Sequence, residues 1–289
     1  MIDTLSIETP EATLVYDVRG SLPPAAGRPP LLMVGHPMDA SGFGALASYF
    51  PERTVVTYDP RGLARSTRRD GRTDRSPEQN ADDIHRIIEA LGAGPVEMFA
   101  SSGGAVVALA LVTAHPEDVT TLVAHEPPLL ALLPDADQAF AAQRGVQAAY
   151  HDKGWGYGMA AFIAMTSWQG EFTDDYLARS APDPGNFGLP ADDDGSREDV
   201  LLSGVSDPIA AYRPDVVALR AAPTTLVVAV GVESQGLLTG RTSEAIAQAL
   251  GQEATVFPSH HGGFAAADSG WPGQPEAFAA KLHEVLDVA

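Results

Sequence analysis

Val96-Glu97-Met98-Phe99-Ala100-Ser101-Ser102-Gly103-Gly104-Ala105 is the stretch on which the fold turns. Val96 to Ala100 reads as a short apolar strand, and helical spacing begins near Gly103 or Gly104. The chain must therefore switch abruptly from extended to helical backbone around Ser102. Small residues two positions either side, Ala100 and Gly104, permit so tight a turn and leave the serine hydroxyl exposed at the top of a sheet. A Ser-Ser-Gly-Gly run alone is an ordinary turn; the strand before it and the helix after it make Ser102 a candidate nucleophile.

Working outward, further short β-branched or apolar runs recur at Leu31 to Gly35, Thr54 to Tyr58, Thr121 to Ala124, Thr224 to Val230 and Thr255 to Phe257. Helical segments separate them, at Pro77 to Leu91, Ala105 to Ala114, Ser243 to Leu250 and Pro275 to Leu286. This alternation predicts a mostly parallel sheet covered on both faces. Leu5 to Ile7 and Ala12 to Val18, split by Glu8-Thr9-Pro10-Glu11, read as an antiparallel hairpin at the edge. Residues 127–222 break the alternation with Ala-rich helical segments, Gly-rich bends and an acidic loop, and are read as a helical cap inserted into a core domain of residues 1–126 and 223–289. Leu22 to Pro30 reads as a surface loop.

The 289 residues, 45% hydrophobic, suffice for a sizeable core. No apolar run approaches the roughly 18 residues that span a bilayer, and Met1-Ile2-Asp3-Thr4 lacks the regions of a signal peptide. The chain reads as soluble and cytoplasmic. There are no cysteines, so disulfides, thiolate nucleophiles and sulfur-ligated metals are excluded together. With 38 acidic against 18 basic residues the formal charge is -20, which disfavours nucleic acid and anionic membranes as partners. The acidic stretch Pro182 to Asp199 is taken as a solvated loop rather than a metal site.

A nucleophilic hydroxyl needs a base. Of the eight histidines, His85 and His283 fall within helical patterns, His115 ends a helix, His125 follows a strand and His151 lies in the cap, all readable as structural. His260 and His261 stand on the loop after the last strand, in Phe257-Pro258-Ser259-His260-His261-Gly262-Gly263-Phe264, and His261 is preferred as the base. Oxyanion donors are sought at Gly103, directly after the serine, and at Met38 in His36-Pro37-Met38-Asp39, because Pro37 has no amide hydrogen. The third member, a carboxylate, is Glu233 after the Thr224 to Val230 strand, with Glu126 in His125-Glu126-Pro127-Pro128 as its rival. His36, Trp155, Phe162 and Trp168 are candidate substrate contacts, Met165 and Phe172 belong to the same apolar cluster, and the cap aromatics read equally as the cap's own core.

Five ordered pieces now resemble the α/β-hydrolase family over nearly the whole chain: Gly35-His36-Pro37-Met38, Tyr58-Asp59-Pro60-Arg61-Gly62 with Ser66, Ala100-Ser101-Ser102-Gly103-Gly104, Gly231-Val232-Glu233, and Pro258 to Phe264. The resemblance implies an eight-stranded sheet, a helical lid after the sixth strand, and a Ser-His-acid triad without a cofactor. It also implies a structural role for Asp59 to Gly62 and Ser66. Pro37 in place of a glycine, and Glu rather than Asp as the acid, depart from the usual pattern. A serine at the elbow argues against relatives such as haloalkane dehalogenases and epoxide hydrolases, which need an aspartate there, although some of them place the acid where Glu126 falls. The implied activity is acyl transfer to water from a small, apolar ester or lactone. The alternative is a pocket that only binds a small ligand or catalyses a cyclisation or addition. Oligomeric state is not legible.

Overall fold

The computed structural model describes residues 2–24 and 27–288, so Ala25 and Ala26 of the Leu22 to Pro30 stretch lie outside the described residues. Its sheet begins with the hairpin β1 (Ile2–Glu8) and β2 (Ala12–Arg19), antiparallel as the sequence suggests. The remaining strands are β3 (Leu31–His36), β4 (Val55–Tyr58), β5 (Thr67–Arg68), β6 (Val96–Ser102), β7 (Val119–His125), β8 (Thr225–Gly231) and β9 (Thr255–Phe257). Eight of them run in the order β1-β2-β4-β3-β6-β7-β8-β9, and the two-residue β5 adds a ninth beside β2. From β4 to β9 every pairing is parallel.

Helices cover both faces, as buried parallel strands require. On one side α2 (Pro77–Leu91), α3 (Gly103–Ala114), α8 (Val216–Ala221) and α9 (Leu238–Leu250) pack against Leu32, Val34, Met98 and Leu122. On the other, α1 (Gly44–Ala47) and α10 (Pro275–Val288) close over Leu31, Met33, Phe99 and Phe257. The start and stop of α2 are written locally. Ser76 caps it by accepting from the Gln79 amide, Pro77 takes the first turn, and Gly92 ends it in left-handed backbone. In α3 the buried run from Gly103 to Val112 has no polar face, which matches a helix enclosed between sheet and neighbours.

Between β7 and β8 the described residues hold helices only: α4 (Ala136–Lys153), α5 (Trp155–Thr166), α6 (Asp174–Leu177), α7 (Asp207–Ala211) and α8. Leu130, Leu133, Ala142, Val146, Tyr150, Met165, Phe172 and Leu202 form a separate apolar cluster there. The Asp59 to Ser66 loop is structural in its bonds. Asp59 Oδ1 accepts from the Ala40 amide (3.0 Å), Ser66 Oγ donates to Asp59 O (2.7 Å), and Arg61 pairs with buried Asp83. These bonds tie the segment after β3 to that after β4, and so fix the floor of the region where β3 and β6 end.

Candidate active site

Ser102 closes β6 at φ 58° and ψ −133°, a backbone region that costs non-glycine residues of order 1–3 kcal/mol. The turn survives because its surroundings over-determine it. A Cβ on Gly104 would lie 2.6 Å from Val34 O and 2.7 Å from Gly35 Cα, so α3 approaches β3 at a distance only glycine allows. Four non-glycine residues have positive φ among the described residues, Ala64, Ser102, Glu126 and Ser259. Three of these belong to the site: Ser102, Glu126 directly after β7, and Ser259 two residues before His261.

His261 Nδ1 bonds Glu126 Oε2 at 2.7 Å. Glu126 is fully buried and also accepts the Gly231 amide (2.8 Å) at Oε1 and the Thr239 hydroxyl (2.6 Å) at Oε2. Burial alone would raise its pKa; the His261 bond, the neighbouring histidines and the other donors outweigh that and hold the carboxyl below the usual carboxylate range. Glu233, preferred from chain order, is exposed, and only its backbone is engaged, the amide donating to Ser259 O at 3.0 Å. The structure therefore corrects the geometric expectation: the carboxylate that meets His261 is Glu126. The end of β8 contributes an amide, Gly231 N–H, and the chain beyond it turns the Glu233 side chain outward. A Cβ on Gly231 would stand 2.7 Å from Ser259 O and 3.1 Å from Glu126 Oε1, which leaves no room for a side chain at the point of contact.

His260 is held apart from this pair. Its Nε2 donates to Pro272 O (3.0 Å), its Nδ1 accepts the Gly262 amide (3.0 Å), and its ring stacks on Trp271 at 4.4 Å. Both ring nitrogens are thus committed.

A second histidine touches Glu126 from behind. His125 is completely buried; its Nδ1 lies 3.0 Å from Ser101 Oγ and its Nε2 3.8 Å from Glu126 Oε1. Burial lowers its pKa to about 4 despite the opposing pull of Glu126, so it is uncharged near neutrality. His36, at the end of β3, is likewise lowered to about 4, by burial and then by the positive charge of Arg75. Its Nε2 lies 3.2 Å from Ser206 Oγ, and because that hydroxyl donates to Val200 O (2.8 Å), His36 is the donor to Ser206. His36 Nδ1 is buried without a hydrogen-bond partner among the described residues.

Ser102, Gly103, His36, Pro37, His260 and His261 open onto one cavity of about 230 Å³ beneath the helices that follow β7. Pro128, Leu130, Val146, Phe162, Met165, Ile209, Leu237 and Leu238 make most of its wall apolar. Gln143, Gln147, Thr166 and Ser167 supply polar edges. Among the described residues no hydrogen bond closes between Ser102 Oγ and His261, although both line this space. Met38 is not on the cavity wall: its side chain packs toward the core under α1, and Pro37 occupies the rim.

Of the aromatic candidates, Phe162 lines the cavity. Trp155 does not, because its Nε1 is anchored on Asp199 Oδ2 (3.1 Å). Trp168 faces away, donating to Glu171 O (3.0 Å) and packing edge-on to Tyr176. Both tryptophans pack within the segment between β7 and β8, Trp155 on α5 and Trp168 just beyond its end. Sequence reasoning missed Trp271, which lines the cavity and stands ten residues after His261. Its signal was faint, a lone Trp in the Gly- and Pro-rich run Gly270-Trp271-Pro272-Gly273.

Residues 35–162, from the end of β3 into α5, match the family model described as alpha/beta hydrolase fold. Over 133 residues the chain is 38% identical to an uncharacterized hydrolase, YraK, of Bacillus subtilis (strain 168), a match covering 46% of this chain and 47% of that one. The chain spans less than half the length of the curated relatives it matches. Solved structures align over almost all of it. A thermophilic esterase from Thermogutta terrifontis superposes with a TM-score of 0.64 at 23% identity, covering 99% of this chain and 98% of that one. Est816, described as an N-acyl homoserine lactone degrading enzyme, gives 0.61 at 19% identity over 98% and 99% of the two chains. The parallel sheet, the serine elbow after β6 and these matches agree: the chain has the α/β-hydrolase fold.

Proposed function

We propose that the protein hydrolyses an acyl bond, a carboxylic ester or lactone, of a small and largely apolar substrate through an acyl-enzyme on Ser102. The observation that carries this reading is the buried Glu126 bonded to His261 Nδ1 beside a cavity shared with the strained Ser102. With Nδ1–H held by the carboxylate, His261 Nε2 is left to take the Ser102 proton and later return it to the leaving alcohol, while Glu126 steadies the imidazolium formed in between. Ser102 Oγ attacks the carbonyl carbon, the alcohol leaves, and water activated by the same imidazole cleaves the acyl-enzyme. The Gly103 amide, at the start of α3 and on the cavity wall, donates to the oxyanion, and the Met38 amide immediately behind Pro37 is the second donor. The apolar wall selects the substrate by shape and by exclusion of water. The esterase and lactone-degrading neighbours make those bond classes the first to try.

Ser102→Ala should abolish both turnover of a short-chain p-nitrophenyl ester and labelling by a fluorophosphonate. Undiminished turnover would overturn the assignment. A wild-type protein that turns over no ester or lactone yet is stabilised by such ligands would mark the cavity as a binding site instead.

A further inference from the structure

The opposite end of the sheet carries a second cluster of chemistry. His85 on α2, His115 just past α3, and Asp118 before β7 bring one ligand atom each to within 4.8 Å of one another. His85 Nδ1 lies 2.7 Å from Asp118 Oδ2, the two imidazoles stack at 3.8 Å with planes 9° apart, and Glu89 Oε1 stands 3.7 Å from His85 Nε2. We propose that His85, His115 and Asp118 form a divalent transition-metal site, of the kind that takes Zn2+, with Glu89 as the outer carboxylate.

The donor set is two imidazoles and a carboxylate, the chemistry that suits zinc and its neighbours rather than magnesium or calcium. Ligands about 2.0–2.2 Å from a tetrahedral metal stand roughly 3.3 Å apart, so the present spacing of up to 4.8 Å closes when the two partly exposed rings rotate out of their parallel stack. Water would complete the fourth position. Binding requires His85 Nδ1 to release its proton toward solvent or to carry it on Nε2 instead, where Glu89 is placed to accept it. A ligating histidine backed by a carboxylate on its other nitrogen is the recurrent second layer of such sites. The scaffold is firm on the far side. The Asp118 amide donates to His115 O (3.1 Å), and Asp118 O accepts the Val96 amide (2.9 Å) at the start of β6.

Val96 and Ser102 are opposite ends of β6, about 20 Å apart at the usual strand rise. A metal here would therefore join α2, α3 and β7 without reaching the reacting atoms. It acts on stability, not on turnover.

The test uses the full chain without a polyhistidine tag, stripped with chelator and titrated with Zn2+ and Co2+. The expected result is one tight equivalent, visible ligand-field absorption with Co2+, and a rise in Tm with Zn2+. His115→Ala should remove all three, and Glu89→Gln should weaken binding about 10–100-fold. Ester turnover should be unchanged in both variants. Binding that survives in both variants, absence of a Tm rise at millimolar Zn2+, or binding lost instead in His261→Ala would each overturn the assignment. Because Glu89→Gln alters an exposed side chain, its reading stands even if His115→Ala folds poorly.

Discussion

Two neighbouring parallel strands, β7 and β8, each end at the top of the sheet with a glutamate close behind, and the fates of the two carboxylates differ completely. Glu126 leaves β7 with positive φ, turns into the protein and gathers His261, the Gly231 amide and the Thr239 hydroxyl. Glu233 comes two residues after the last residue of β8, on the outside of the turn, and is exposed. Both are glutamates placed for the same work by chain order. A carboxylate becomes a partner for an imidazole when the backbone aims it inward and donors are already waiting, because a buried charge without them would neutralise instead.

The comparison breaks most readily at Glu126. Glu126→Gln should lower kcat/KM on an activated ester by about 10³–10⁴-fold, since the amide favours the wrong tautomer of His261. The same change at Glu233 should leave it within about twofold, and equal losses in the two variants would show that the contact seen at Glu126 is not the one that matters.

Acid should also separate the two ends. His36 and His125 are buried and neutral with pKa values lowered to about 4, against an ordinary 6.5. Between those values the unfolded chain binds more protons than the folded one, so stability falls as pH drops from 6.5 toward 4 and is insensitive to these groups above 6.5. The loss is of the order of 3 kcal/mol per histidine. Urea midpoints measured at pH 6.5 and 4.5 should differ less in a His125→Leu variant than in the wild type; an unchanged difference would mean that His125 is not the buried neutral group described.

A smaller effect belongs to the glycine that lets β8 serve β7. Gly231→Ala places a methyl group against Ser259 O and Glu126 Oε1 and should cost roughly 100-fold in kcat/KM through displacement of Glu126 and His261 by a fraction of an ångström to an ångström. Activity near wild type would show that the pair tolerates movement. Trp271→Ala, which removes an apolar wall and the stacking partner of His260, should raise KM by about 2–10-fold with kcat nearly constant, the size of one aromatic contact. A kcat-only effect would instead place Trp271 on the positioning of the His261 loop.

Much of this protein is legible from its chain. Apart from the two-residue β5, the strands from Leu31 to Phe257 and the helix from Pro77 to Leu91 follow from local pattern and capping, and the elbow follows from small residues around Ser102. Phe162 was legible as an apolar residue on a helix over the site. Trp155 and Trp168 looked the same in sequence and were not, because their rings are held away from the cavity. The ring nitrogens of those tryptophans found partners elsewhere, on Asp199 and Glu171, and held them there.

The sequence by itself determined the order of strands and helices, the turn that exposes Ser102, and the candidates His261 and Glu126 or Glu233. These depend on residue type and near-neighbour spacing, which the chain carries locally. Only the tertiary structure showed which of the two glutamates meets His261, separated His260 from His261, and brought Trp271 to the cavity. It also gathered His85, His115 and Asp118 from three elements. Each of those outcomes depends on where side chains far apart in sequence come to rest. Glu126 and His261 are 135 residues apart, and their meeting is fixed by the parallel register of β7, β8 and β9 rather than by either segment alone.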